Sequence, residues 1–131
     1  MRRTSVLALI AVCLLFSYSV ATGSQVEKPL NNNNIVAVNS LLQSTITNDE
    51  FAVELKALMD SDADLIYYTT QLVAGLNHRM IFKINGASEE LYECVQVWQR
   101  LSGAPELIKI AYGATSEEAK RACGVFLSAT H

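Results

Sequence analysis

Few residues in this chain could carry reaction chemistry, and they are scattered along it. A cysteine beside a histidine can act as a nucleophile with its base, and Cys94 and His78 fall on neighbouring predicted strands. Nothing in the sequence supplies an oxyanion hole or a clear third group, and His131 is the last residue. The histidines and cysteines also lack the spacing of zinc ligands. We therefore predict a protein that is not an enzyme and that uses neither a metal nor a cofactor.

The first residues have the form of an export signal. Arg2 and Arg3 precede an apolar stretch from Val6 to Leu15, and small residues follow at 19–21. The apolar stretch is too short to span a bilayer. We predict a signal peptide over 1–21 and a secreted, soluble product that does not associate with membranes once the signal is removed. An uncleaved N-terminal anchor is the alternative.

The charge balance limits the classes of partner. Without residues 1–21, eight Lys and Arg face thirteen Asp and Glu, which gives a net charge near −5. No cluster of basic residues remains, and this argues against nucleic acid or an anionic membrane as the partner. The remaining length suffices for one compact domain and not for two.

Two cysteines remain outside the predicted signal, which contains Cys13. In an exported protein, Cys94 and Cys123 most simply form one disulfide. Closing a loop of about 30 residues could stabilise the fold by about 3 kcal/mol. The alternative is two free thiols, one buried and one in the tail, where it could dimerise the chain.

The elements that would position these residues begin with helix. Residues 22–34 are polar and end in four asparagines, which predicts a flexible leader that also caps a helix. Apolar residues recur at helical spacing over 35–46 and again over 51–59. Between these stretches, Thr47 and Glu50 have the spacing of a capping box. The pattern leaves open whether this region forms two helices or one kinked helix.

Beyond residue 62 the spacing becomes that of β-strands. Strands are predicted over 65–73, 80–84, 91–99 and 107–112, with a turn at Asn85-Gly86 and a short helix over 116–122. Helix first and strands afterwards predict an α+β fold. In it, an antiparallel sheet of four to five strands wraps around one main α-helix, straight or kinked. We predict that the domain covers 35–112 and that a C-terminal tail covers 113–131.

The join between the first two predicted strands carries a family motif. It reads Gln71-Leu72-Val73-Ala74-Gly75 and matches the Gln-x-Val-x-Gly hairpin of the cystatins. Phe51-Ala52-Val53 lies on the preceding helix, as the family's Phe-Ala-Val segment does. Leu91-Tyr92-Glu93 and Val97-Trp98 resemble the strand before the family's second hairpin. Over roughly residues 48–110 the chain thus resembles a cystatin, most closely the plant-type and secreted invertebrate members.

The resemblance implies a cystatin-like fold and a reversible inhibitor of papain-like, cathepsin-type cysteine proteases. It implies a wedge that fills the active-site cleft without a covalent bond. The wedge would comprise the leader, the hairpin at Gln71–Gly75 and a second hairpin at Leu101, Ser102 and Gly103. We expect a monomer, with a dimer that exchanges its first hairpin as the alternative.

The roles of the hairpin residues follow from their types. Leu72, Val73 and Ala74 would present compact apolar surface, and Gly75 allows a tight turn and close backbone approach. A stiff hairpin loses little entropy on docking. We expect Gly75→Arg to weaken inhibition while thermal stability stays nearly intact, and we expect Trp98 to pack beside the second hairpin.

Two departures from the family bear on function. Leu101-Ser102 stands where the family's second hairpin carries Pro-Trp, and losing such an aromatic contact costs about 2 kcal/mol or more of binding energy. The candidate for the family's leader glycine, Gly23, is too far upstream, so a two-point contact is expected. A non-inhibitory extracellular binding module on the same fold is therefore the alternative function.

Overall fold

The computed structural model describes residues 24–125. The predicted signal peptide, Gly23 and the end of the predicted tail, 126–131, lie outside the described residues. The elements in chain order are β1 (Gln25–Glu27), α1 (Asn32–Ser44), α2 (Asp49–Asp60), β2 (Ala63–Leu72), β3 (Gly75–Ile84), β4 (Tyr92–Arg100), β5 (Glu106–Gly113) and α3 (Ser116–Ala122). The α+β class predicted from the sequence is confirmed.

The strands form one antiparallel sheet in the order β1-β2-β3-β4-β5. Each strand therefore pairs with the next along the chain, which confirms the predicted antiparallel sheet of up to five strands. The first strand comes from the segment predicted as a flexible leader. It pairs with β2, with Gln25 opposite Gln71 and Glu27 opposite Thr69. Part of the leader is thus held at one edge of the sheet.

Two helices, α1 and α2, form in the region that the sequence left open as either two helices or one kinked helix. Asn31 caps α1 and Asn48 caps α2, each accepting a hydrogen bond from a backbone N–H three residues later. The predicted capping box at Thr47 is wrong by one residue. Asn48 provides the cap because its side-chain oxygen lies 3.0 Å from the N–H of Phe51.

The linker between α1 and α2, residues 45–48, is attached to the sheet. Ile46 donates its N–H to the carbonyl of Pro105 at 2.8 Å and accepts the N–H of Leu107 at 2.9 Å. This short parallel bridge satisfies backbone groups that a continuous helix would have paired internally. Thr45, Ile46 and Thr47 are β-branched, a type that suits an extended backbone better than a helix.

The side of the sheet that faces α1 and α2 carries the main apolar core. Its buried members are Val38, Leu42, Leu55, Leu58, Tyr68, Met80, Phe82, Val95, Val97 and Leu107. Alternate residues of β3 and β4 point to this side, as expected for strands with one face in the core.

A smaller cluster covers the opposite side of the sheet, where α3 packs. Its buried members are Ile81, Cys94, Ala119, Cys123 and Val125. The predicted disulfide between Cys94 and Cys123 is confirmed, with the two Cα atoms 5.9 Å apart. We call this cluster with α3 the disulfide face. Among the described helices, none is long and apolar enough to cross a bilayer.

Candidate functional site

The two turns predicted to bind a protease lie at the same end of the sheet. Gly75, where β3 begins, is paired with Arg100, where β4 ends. At the neighbouring edge, Gln25 of β1 is paired with Gln71. The β2–β3 turn, the β4–β5 turn and the start of β1 therefore form one end of the molecule. We call it the hairpin end.

The β2–β3 turn is tight and projects apolar side chains. The N–H of Val73 donates to the carbonyl of Gly75 at 2.9 Å, and Ala74 adopts a left-handed backbone with φ of 49°. Leu72 is 52 % exposed, Ala74 is exposed and Val73 is half-buried. Among the described residues, the tip of this turn stands in solvent.

Gly75 does not share this exposure, because it is buried against β4. Its φ is 125°, and a Cβ placed there would collide with the carbonyl oxygen of Gln99 and lie 3.2 Å from Nε1 of Trp98. Any side chain at this position must displace backbone. The expectation that Gly75→Arg would leave stability nearly intact is therefore wrong. A substitution at Gly75 would change folding as well as binding, so it cannot test binding alone.

Gln71 is anchored rather than projected towards solvent. Its Oε1 accepts a hydrogen bond from Nη1 of Arg79 at 2.8 Å, and Nε of Arg79 donates to the carbonyl of Cys123 at 2.9 Å. Arg79 is itself buried, and burial lowers its pKa from the usual value. One guanidinium thus connects the base of the first turn to the disulfide face.

The β4–β5 turn is the more exposed of the two. Leu101 is 84 % exposed, and Ser102 and Gly103 are exposed beside it. An ion pair between Arg100 and Glu106 joins the two strands at its base. The tip of this turn therefore presents an aliphatic side chain to solvent.

Trp98 lies just below the β4–β5 turn and is partly buried. The guanidinium of Arg100 lies 5.1 Å from the centroid of its ring, and its Nε1 is buried without a hydrogen-bond partner. As expected from the sequence, Trp98 packs beside this turn, against the Gly75 backbone, rather than projecting from it.

A groove between the linker and the β4–β5 turn was not predicted from the sequence. It has a volume of about 400 Å³ and is lined by Ile46, Thr47, Asn48, Arg100, Gly103, Ala104, Glu106 and Leu107. Ile46 is 61 % exposed. No local sequence signal predicts the groove, because it depends on the bridge that Ile46 makes to Pro105 and Leu107 at the start of β5.

His78 and Cys94, the pair with possible nucleophile chemistry, are on opposite sides of the sheet. Cys94 is in the disulfide, and both ring nitrogens of His78 are engaged. Nδ1 lies 2.7 Å from the hydroxyl of Tyr68, and Nε2 lies 2.8 Å from Oε1 of Gln99. Since the amide oxygen can only accept, Nε2 carries the proton and Nδ1 accepts from Tyr68. Burial lowers the pKa of His78, which favours this neutral form.

A buried carboxyl group, Glu93, was also missed. It is 5 % exposed on the side of the sheet that faces the helices, and its Oε2 has no hydrogen-bond partner. Nearby, the hydroxyl of Tyr112 donates to Oε2 of Glu54 at 2.8 Å. Burial first, and then the charge of Glu54, raise the pKa of Glu93 to about 7, although its interaction with the Tyr112 hydroxyl lowers it. Within residues 24–125, no group of three or more His, Cys, Asp or Glu could hold a metal ion.

The chain matches no family model, and it matches no curated protein in sequence. The resemblance to the cystatins therefore rests on the motif residues and on their arrangement in the fold.

Proposed function

We propose that this protein is a secreted, reversible inhibitor of papain-like cysteine proteases and that the hairpin end occupies the substrate cleft. One observation carries the proposal. The residues of the Gln71–Gly75 motif form a tight turn. Its tip, Leu72 to Ala74, is open to solvent, and its base is held by strand pairing. A pre-formed apolar turn of this kind can enter a groove built for peptide side chains with little ordering cost.

The β4–β5 turn supports the proposal because it lies beside the first. The pairing of Gly75 with Arg100 sets the two turns side by side, so both could enter one cleft together. The leader also bears on the proposal, since Gln25 lies next to Gln71. The distance in sequence from Gly23 to Phe51-Ala52-Val53 therefore carries less weight against a third contact, because α1 and the linker lie between them.

The turns would act by occupying the cleft, without a reaction. The Val73–Gly75 hydrogen bond and the left-handed Ala74 keep the turn closed, so no peptide carbonyl needs to be presented in line with the enzyme's thiolate. Inhibition is then reversible, and the inhibitor remains uncleaved. Export through residues 1–21 is part of the same proposal, and the buried disulfide supports it.

Titration of papain with the purified protein tests the proposal. We expect activity on a small peptide substrate to fall as the protein is added and to recover on dilution, with the protein recovered intact. Leu72→Asp places a charge in the contact and should raise the inhibition constant by about 30-fold. Val53→Asp, at a residue 74 % exposed on α2, is the matched control and should leave inhibition unchanged. Full papain activity at micromolar concentrations of the wild-type protein would exclude this function.

A non-inhibitory extracellular binding module is the second candidate. It is favoured by the aliphatic β4–β5 turn, where Leu101 offers less contact area than a large aromatic would. In that case papain remains active, and the hairpin end contacts a partner other than a protease.

A further inference from the structure

Two carboxyl groups and a tyrosine meet where α2 packs on the sheet, at the end opposite the hairpin end. Glu93 of β4 is paired with Tyr112 of β5, and the Tyr112 hydroxyl donates to Oε2 of Glu54 on α2 at 2.8 Å. Among the described side chains, no other hydrogen bond joins α2 to the sheet. The carboxyl group of Glu93 is buried, and its Oε2 has no hydrogen-bond partner. We call these three residues the α2 seam.

The α2 seam holds two carboxyl groups but one proton donor. A carboxylate can only accept hydrogen bonds, so with both groups ionised the hydroxyl of Tyr112 is the one donor for Glu54 and Glu93. A buried oxygen then stays unsatisfied, and two negative charges face each other. A proton on Glu93 removes one charge and supplies a second donor, which the oxygen of Tyr112 can accept. The hydrogen bonding of the seam is therefore complete only while Glu93 is protonated.

The groups that face Glu93 leave it as the one that titrates near neutral pH. Glu54 faces it from α2 and Tyr112 from β5, and its partner on β3 is Phe82, which has no titratable group. None of the three seam residues takes part in an ion pair within the described part of the chain. Burial, and then the hydrogen bond to Glu54, raise the pKa of Tyr112, so its hydroxyl keeps the proton.

We propose that the α2 seam is a pH-sensitive latch, which holds α2 on the sheet while Glu93 is protonated and lets α2 lift from the sheet once Glu93 is ionised. Lifting exposes Glu93 to water and separates its charge from that of Glu54, which removes both costs of ionisation. Leu55 and Leu58 still favour the packed helix, so α2 lifts in only a fraction of molecules. The linker stays bound to β5 through Ile46 and serves as the hinge.

The size and sign of the effect follow from the pKa of Glu93. This pKa is about 7 with α2 packed, against an ordinary value of 4.5 once the group is in water. The packed state therefore binds the proton more tightly, so the packing of α2 is strongest below pH 4.5 and weakens as the pH rises through 7. Between pH 5 and pH 8, the equilibrium constant for lifting should rise by about 100-fold.

Hydrogen exchange of the backbone amides of α2 tests the latch. After correction for the intrinsic exchange rate, their protection in the wild-type protein should fall by about 100-fold from pH 5 to pH 8. Glu93→Gln is neutral at both pH values and should change by less than about threefold. Glu89→Gln, which alters an exposed carboxylate, is the matched control and should behave like the wild type.

Exchange in low concentrations of urea separates the lifting of α2 from the unfolding of the whole chain. A local opening exposes little surface, so exchange through it depends little on urea, whereas exchange through global unfolding depends on it steeply. At pH 8 we expect the amides of α2 to be less protected than those of β3 and β4 and to respond little to urea. If the α2 amides match those of β3 and β4 in both respects, or if their protection is the same at pH 5 and pH 8, the latch is overturned. Neither result bears on the proposed function, because the three seam residues lie outside the hairpin end.

Discussion

The hairpin end and the disulfide face belong to one sheet but have opposite exposures. Leu72 and Leu101 project into solvent at the hairpin end, whereas Cys94 and Cys123 are 0 % and 1 % exposed on the disulfide face. Apolar turns left in water contribute little to folding. Another part of the molecule must then supply the stability that keeps them in shape. The difference suggests a division of roles, in which the disulfide face stabilises and the hairpin end binds.

Removing the disulfide should produce the largest effect, and only on stability. In Cys94→Ser combined with Cys123→Ser, we expect the free energy of unfolding to fall by about 3 kcal/mol, because the unfolded chain is no longer constrained. Urea unfolding followed by circular dichroism measures this change. The inhibition constant of the folded variant should equal that of the wild type.

The inhibition assay needs papain activated beforehand and freed of excess thiol, so that the wild-type disulfide stays intact. A variant that remains folded but loses inhibition would contradict the division of roles, because the disulfide face would then shape the hairpin end directly.

The titration of Glu93 should produce the next largest effect. Glu93 precedes Cys94 on β4, but its side chain lies on the side of the sheet covered by α1 and α2. Its titration therefore reports on stability at the side opposite the disulfide face. Its pKa of about 7 lies above the ordinary value of 4.5, so the folded state binds the proton more tightly than the unfolded state. The resulting stability is fully present below pH 4.5 and is lost as the pH rises through 7.

Glu93→Gln removes this dependence, because the amide stays neutral. At pH 8 we expect the variant to be more stable than the wild type by up to about 3 kcal/mol, with the advantage disappearing near pH 4.5. Thermal melts of both proteins across this range measure the difference. Glu89→Gln, which changes an exposed carboxylate, is the control and should show no such trend. If Glu93→Gln were more stable than the wild type by the same amount at pH 4.5 and at pH 8, the raised pKa of Glu93 would be refuted.

Much of the fold could be predicted from the sequence because its signals are local. Alternating residues over 80–84 and 91–99 indicated strands, and two remaining cysteines indicated a disulfide. The strand β1 could not be predicted, because Gln25–Glu27 has three residues with no apolar pattern and depends on β2 for pairing.

The candidate site was predicted in part. The motif located the first turn, and alignment on Trp98 located the second. The burial of Gly75 and the position of Ile46 beside the groove could not be predicted from the sequence. Each depends on the backbone of a residue far away in the chain, Gln99 for Gly75 and Pro105 for Ile46. The burial of Glu93 was missed for a similar reason, since glutamate is seldom buried and only helix packing covers it here.

Substituting Arg79 should change stability least, yet it compares the hairpin end and the disulfide face most directly, because Arg79 contacts both. Its guanidinium donates to Gln71 at the base of the first turn and to the carbonyl of Cys123. We expect Arg79→Met to lower the free energy of unfolding by about 1 kcal/mol, since two charge-assisted hydrogen bonds are lost while a buried charge is removed. Arg79→Lys should be nearly as unstable, because one ammonium group cannot reproduce both contacts of the planar guanidinium.

The inhibition constant then decides to which region Arg79 belongs. If the hydrogen bond to Gln71 positions the first turn, both Arg79 variants should weaken inhibition by about threefold, through a loss of about 0.6 kcal/mol. We expect this modest loss, because the turn is also held by its own Val73–Gly75 hydrogen bond and by pairing with β4. Unchanged inhibition in both variants would assign Arg79 to the disulfide face alone. A loss beyond about 30-fold would mean that the two regions act as one unit, since positioning from a distance would then matter as much as direct contact through Leu72.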